Sequence, residues 1–235
     1  FQLNTRATVA SGGALRLADL ALTSDAARVT GDLAMPGDFA TIDGDFAARL
    51  PDLAALGGAL GVPMAGNGDI SLGVSGPTGN PSLAADVTAT DASVAETPLG
   101  TLSMRADLAD LAKGLNGTVR AESTTSPAGP VELDGRIAMA DGAFRVRNAA
   151  ARVPGLKVTG VRLDVPLAGG AMTGAASLAS GDLGELRPLA GQGLGGALDG
   201  TLNLGPGDRG QGLTADLTLT DLATGGGPRV QRVRL

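Results

Sequence analysis

The sequence predicts a mainly β protein: a long, strongly curved antiparallel meander sheet folded into an open apolar groove, with two short amphipathic helices. Three observations carry this expectation. Apolar residues recur at every second position over most of the 235 residues. Turn-forming residues interrupt these runs at hairpin spacing, with no βαβ rhythm. Glycine is abundant, with 38 residues, and many fall in phase with the apolar positions.

The runs follow one another along the chain. Leu15, Leu17, Leu20 and Leu22 open the alternation, and Ala27, Val29, Gly31, Leu33, Met35 continue it. Ile42, Gly44, Phe46, Ala48, Leu50 come next, then Gly68, Ile70, Leu72, Val74. Leu83, Ala85, Val87, Ala89 precede Leu102, Met104, Ala106, Leu108 and Leu115, Gly117, Val119, Ala121. Val131, Leu133, Gly135, Ile137, Met139 is the cleanest run. Phe144/Val146, Leu156/Val158, Val161/Leu163/Val165 and Met172/Gly174/Ala176/Leu178 follow. Leu198/Gly200/Leu202/Leu204, Leu213/Ala215/Leu217/Leu219 and Val233/Leu235 close the series. Intervening positions are mostly Thr, Asp, Arg, Ser or Asn. Successive side chains of a strand point to opposite faces, so roughly fifteen strands each present one apolar and one wet face.

Turns are marked by "GPTGNP" at 76–81, "SPAGP" at 126–130, "ADGA" at 140–143 and "GPGDRGQG" at 205–212. Two stretches have helical spacing. "PDLAALGGAL" at 51–60 places Leu53, Leu56 and Leu60 on one side, with Pro51 at a plausible first turn. "GDLGELRPLA" at 181–190 aligns Leu183, Leu186 and Leu189, with Asp182 as a candidate N-cap, so the second helix is expected over 182–190.

The chain also repeats itself. "LAADVTATDASV" at 83–94 and "LTADLTLTDLAT" at 213–224 share six of twelve positions at an offset of 130. The same offset relates Asp52 to Asp182 and Leu53 to Leu183, and 129 relates "ARVTGD" at 27–32 to "LKVTGV" at 156–161. We therefore expect a first repeat over 1–140 and a second, incomplete one over 141–235, carried by one continuous sheet. The chain opens on Phe1 and contains no signal-peptide pattern or long apolar run, so it reads as an internal segment of a longer protein.

Composition removes many functions. His and Cys are absent, which excludes the commonest metal ligands, the Ser-His-Asp triad and thiol chemistry. A net charge of −6, with no Trp or Tyr, argues against nucleic acid. Asp43 and Asp45 flank Gly44 and read as solvated strand residues. "GQGLGG" at 191–196 follows a helical stretch, the wrong context for a dinucleotide turn. "GNGDISLG" at 66–73 is a single partial match to a calcium-binding repeat, and "NGT" at 116–118 reads as a turn into a strand. Arg145, Arg147 and Arg152 form the densest basic cluster and read as a solvated strand face, with lipid headgroups as the alternative. No catalytic residue, cofactor or metal is expected.

An apolar sheet face of this extent must be covered or turned inward. In-phase glycines favour the second, because they allow a strand to bend toward its apolar side. Gly31, Gly44, Gly68, Gly117, Gly135, Gly174 and Gly200 are the expected crease. The expected lining is Val29, Leu33, Ile42, Phe46, Ile70, Leu72, Val87, Leu102, Met104, Val119, Leu133, Ile137, Val158, Leu163, Leu202 and Leu217.

The order of elements in "LPDLAAL…GNGDISLGVSGPTGNPSLAADVTATD", together with the in-phase glycines, resembles the TamB family, the AsmA-like group of bridge-like lipid-transfer proteins. The resemblance implies an apolar β-groove (a β-taco) in an inner-membrane-anchored parent in the periplasm. It implies phospholipid as cargo and an outer-membrane partner of the BamA/TamA type, reached through other parts of the parent chain. The alternative it leaves open is a scaffold or chaperone for outer-membrane protein and autotransporter assembly. No enzymatic activity is implied.

Overall fold

The computed structural model describes residues 2–24, 27–54, 63–94, 97–112, 114–124, 129–186, 194–207, 210–224 and 230–234. The chain forms two compact units, Phe1–Thr125 and Ser126–Leu235. The first contains β1 (Gln2–Val9), β2 (Leu15–Thr23), β3 (Arg28–Met35), β4 (Thr41–Leu50), β5 (Met64–Pro77), β6 (Ser82–Val94), β7 (Thr97–Ala109) and β8 (Asn116–Ser123). The second contains β9 (Val131–Ala140), β10 (Ala143–Val153), β11 (Leu156–Pro166), β12 (Thr173–Ser180), β13 (Leu194–Gly207), β14 (Gly210–Thr224) and β15 (Val230–Arg234).

Within each unit every strand pairs antiparallel with the next in chain order, as the alternation and the hairpin turns require. Among the described residues no pairing joins the first strand of a unit to its last, so the strands of neither unit close into a barrel. The turn chemistry is local. Asp141 and Gly142 both have positive φ, 53° and 69°, as a two-residue hairpin loop demands. Gly155, at φ 77°, follows Pro154 in the β10–β11 turn.

The offset seen in the sequence recurs in the backbone. β5 and β13 are each 14 residues long and begin 130 residues apart. Both open on a bulge, at Ala65/Asn67 and at Gly195/Ala197. The glycine in each bulge has nearly the same φ, 112° at Gly66 and 113° at Gly196. Opposite them lie Asp91 and Asp221, at φ 52° and 51°. A second pair of bulges holds Asp19 in β2 and Asn148 in β10, at φ 54° and 51°. Asp and Asn are the non-glycine residues that best tolerate this left-handed conformation. Each bulge absorbs one residue. It thereby keeps Leu17 and Leu20, or Leu219 and Leu222, on the same face despite their spacing of three.

Neither expected amphipathic helix is seen as such among the described residues. Over 182–190 the described chain makes only a four-residue 3-10 helix, Leu183–Leu186. Gly184 lies inside it and Pro188 follows two residues later, and both oppose an α-helix. Asp182 does act at its start: its Oδ1 accepts the Gly184 N–H at 2.7 Å. Of the first expected helix, residues 55–60 lie outside the described residues. Among the described residues no helix is long and apolar enough to cross a membrane.

Among the described residues the buried apolar ones are few: Leu53, Ala89, Ala92, Ala106, Ala149 and Leu183. Four of the six are alanines. Among the described residues no side chain is fully enclosed. A two-layer fold would enclose its larger apolar side chains.

Candidate functional site

The strand registers assemble the alternating residues into rows that run across the strands. In the first unit one row is Leu22, Val29, Ala48, Ile70, Val87, Met104, Ala121. A second is Leu20, Gly31, Phe46, Leu72, Ala85, Ala106, Val119. A third is Leu17, Leu33, Gly44, Val74, Leu83, Leu108, Gly117. Leu50, Gly68, Ala89 and Leu102 form a fourth toward one rim, and Ile42 lies opposite Gly76 toward the other. In the second unit Leu133, Ala151, Val158, Leu178, Gly200, Leu217 form one row. Ile137, Val146, Leu163, Gly174, Leu204, Leu213 form another. Leu202 pairs with Ala176 and Ala215, and Gly135 lies opposite the bulge before Ala149. All the lining and crease positions read from the sequence thus fall on one face of their own unit.

That face is half-covered at best. Of the sixteen lining side chains, Met104 and Leu133 are exposed, at 36% and 45%, and the rest are partly buried. What covers them comes from the same sheet. The glycines show how. Phe46 lies across Gly31, so close that a β-carbon there would collide with its ring. A β-carbon at Gly44 would stand 2.8 Å from Leu33 Cδ1, and one at Gly200 2.7 Å from Leu217 Cδ2. In each case the large side chain belongs to the directly paired residue. These glycines are recesses in the apolar face, occupied by a neighbour's side chain laid flat across the backbone.

One end of the first unit's face is closed. Leu53, just beyond β4, is 6% exposed and packs on Ala89 and Ala92, with Leu50, Met64 and Leu102 around it. Its N–H donates to the Gly66 carbonyl at 2.8 Å, and Asp52 Oδ1 accepts the Ala54 N–H at 2.8 Å. In the second unit Leu183 is 5% exposed, and the 3-10 helix that carries it packs on β13.

The opposite face is polar and laced with cross-strand ion pairs. Arg49 meets Asp69 at 3.0 Å and Arg105 meets Asp86 at 3.5 Å. Such exposed pairs contribute little stability. The basic cluster is neutralised within the chain. Arg147 makes a two-pronged contact with Asp164, at 3.0 and 2.7 Å, and Arg145 reaches Asp164 at 3.3 Å and Asp141 at 3.2 Å. Arg152 pairs with Glu132 at 3.4 Å. The hydrogen bond from Arg147 holds the Asp164 carboxyl below the usual range, and Asp164 raises Arg147.

The other sequence candidates disperse. Asp43 and Asp45 are exposed on β4, and Asp45 faces Asp32. Residues 191–193 lie outside the described residues, and 194–196 begin β13. The stretch 66–73 lies within β5, and 116–118 begins β8. Among the described residues no three acidic side chains are grouped to hold a metal ion. A concavity of about 730 Å³ in the first unit is lined largely from the wet face, with Asp19, Asp32, Asp45 and Asp86 around it. Leu20, Phe46 and Leu72 contribute to the same lining.

Sequence reasoning missed the bulge aspartates. Their signal is a spacing of three between apolar residues with Asp or Asn in the third place: "LADL" at 17–20, "VRNA" at 146–149, "ATDA" at 89–92 and "LTDL" at 219–222. Comparisons with protein-family models, with curated proteins and with solved structures found no match to this chain.

Proposed function

We propose that this chain is a non-enzymatic segment of a lipid-transfer bridge, in which the apolar face turns inward as a groove for phospholipid acyl chains. One observation carries the reading: uninterrupted rows of apolar residues cross each unit, and no second layer covers them among the described residues. Burying alkyl chain is worth about 0.8 kcal/mol per methylene. An acyl chain laid along such a face is therefore held without any polar contact, and it can slide. Its headgroup stays in water at the groove's open seam. The TamB-like order of elements adds the setting: the periplasm, a parent chain anchored in the inner membrane, and a BamA/TamA-type partner in the outer membrane met by other parts of that parent.

Lipid extraction and native mass spectrometry of the purified protein test the reading. Co-purifying phospholipid, lost in Val119→Asp and Leu133→Asp variants that still fold, is the expected result. Protein free of lipid, with both variants neutral for envelope lipid transport, would end it. An assembly scaffold is the second reading. It is favoured by β1, whose outer edge has no strand partner among the described residues and could accept a client strand. Crosslinks from Thr5 or Ala7 to a client barrel, with no lipid bound, would select it.

A further inference from the structure

We infer that the apolar face of the first unit has a closed and an open rim, and that it takes an acyl chain with the methyl end toward Leu53 and the headgroup at the open rim. This rests on the lipid reading and specifies the orientation of the bound chain. The meander gives the unit two rims. Val9, Met35, Pro77 and Ala109 end their strands on one rim, and Thr23, Leu50, Val94 and Ser123 end theirs on the other. At the second rim Leu53 is seated in the small-residue socket of Gly68, Ala89 and Ala92, with its Cδ2 3.1 Å from where a Gly68 β-carbon would lie. At the first rim the apolar face runs out to solvent. Val9, opposite Leu15, is 70% exposed, and Phe39 is 48% exposed in the β3–β4 turn.

The second unit, taken by itself, shows the same bias, with Leu133 near the start of β9 as the exception at the plugged rim. Leu183 is buried beyond β12. Met139, Leu167, Met172 and Leu213, exposed at 39%, 58%, 37% and 65%, lie at or beside the turns of the opposite rim. Six of the eight exposed large apolar residues among those described, Val9 and Phe39 included, therefore belong to the unplugged rims; Met104 and Leu133 are the others.

Physical chemistry assigns the direction. Leu53 already seals Ala89, Ala92 and Leu102 from water, so a charged headgroup pressed toward that end would lie desolvated against apolar side chains. At the rim of Val9 and Phe39 it remains solvated. The length fits as well. From Ile42 to Leu50 along β4 is about 27 Å at ~3.4 Å per residue, and one leaflet's acyl chain spans roughly 15 Å, half of a ~30 Å hydrocarbon core. A tail thus lies wholly between open rim and plug.

The chain contains no Trp, so single substitutions report on one place each. Met64→Trp puts the probe beside the plug, and Phe39→Trp puts it at the open rim. Each variant is loaded with phosphatidylcholine brominated near the acyl methyl end or near the carbonyl end, and fluorescence quenching is read. Methyl-end bromine should quench the probe at 64 several-fold more than the probe at 39, and carbonyl-end bromine should do the reverse. Lipid bound with equal quenching at both probes, or with the opposite pattern, overturns the orientation and leaves the conduit reading standing. If the unaltered protein takes up no lipid, both fail together. Should Met64→Trp lose the β-sheet circular dichroism of the parent, Leu102→Trp reports on the same cluster from β7.

Discussion

Leu50 faces Gly68 across β4 and β5; at the repeat offset of 130, Ser180 faces Leu198 across β12 and β13. Each pair precedes or underlies a buried leucine, Leu53 in one unit and Leu183 in the other. The large side chain has changed strands while the combined volume has changed little. The backbone irregularities have not moved: Gly66 and Gly196, and Asp91 and Asp221, share their φ values to within about a degree. So the repeat holds its backbone positions fixed and trades side-chain bulk across a strand pair. Steric demands explain the difference. A left-handed residue can be filled by few amino acids, whereas a recess can be filled from either side.

The two units should differ most at their plugs. Leu53→Ala should destabilise the first unit by about 3 kcal/mol, because Gly68, Ala89 and Ala92 have nothing with which to fill the space. Leu183→Ala should be milder, about 2 kcal/mol, since the equivalent positions carry Leu198 and Leu219, which can relax inward. Urea unfolding with hydrogen exchange resolved by strand reads both. Equal losses would show that the two sockets are not built differently.

The exchange of bulk is tested directly. Leu50→Ser and Gly68→Leu should each destabilise by roughly 2 kcal/mol, one by emptying the recess and one by overfilling it against Leu53. Combined, they recreate the second unit's arrangement, and a coupling of about 1–2 kcal/mol should restore much of the loss. Strict additivity in the double-mutant cycle would refute the trade.

Much of this was legible in the sequence. Alternation identified the strands and their shared face, because a period of two admits no other regular structure. Asp182 was recognised as a capping residue, and it accepts the Gly184 N–H. The spacing of Leu183, Leu186 and Leu189 suggests an α-helix, yet Gly184 and Pro188 oppose one, and the described part is a 3-10 turn. The glycines could be placed on the apolar face, but not what occupies their recesses. That needs register, and register depends on bulges such as those at Asp19 and Asp91, where the apolar spacing jumps from two to three. The plug role of Leu53 was hidden for the same reason, since its socket comes from β5 and β6, distant in sequence.

The bulge aspartates should behave alike in both units. Asp91→Val and Asp221→Val place a β-branched residue in a left-handed conformation and should each cost about 1–2 kcal/mol. The glycine variants at both positions should stay within a few tenths of the parent, measured by the urea midpoint. A large loss with glycine would mean that the carboxylates, and not the backbone, matter there. Ser180 is expected to show a gain. Its hydroxyl is buried without a hydrogen-bond partner, a consequence of placing serine opposite Leu198. Ser180→Ala should therefore stabilise the second unit by up to about 1 kcal/mol. The first unit, with Leu50 at that place, has no such reserve.

The smallest effect concerns acid. Met35 and Ala18 stand in the first unit where the second has Asp164 and Arg147, so the two-pronged ion pair exists in one unit alone. Asp164 titrates below its unfolded value because Arg147 donates to its ionised form. Its contribution is thus complete above a pH of about 3.9, the ordinary carboxyl value, and is lost as pH falls through the lowered value. Amide exchange in β10 and β11 should accelerate over that acid range, and Asp164→Asn should abolish this part of the pH dependence while leaving β2 and β3 unchanged. The pair is partly exposed, so added salt should shrink the effect. An acid response in β10 and β11 that survives Asp164→Asn would place its origin elsewhere among the wet-face carboxylates.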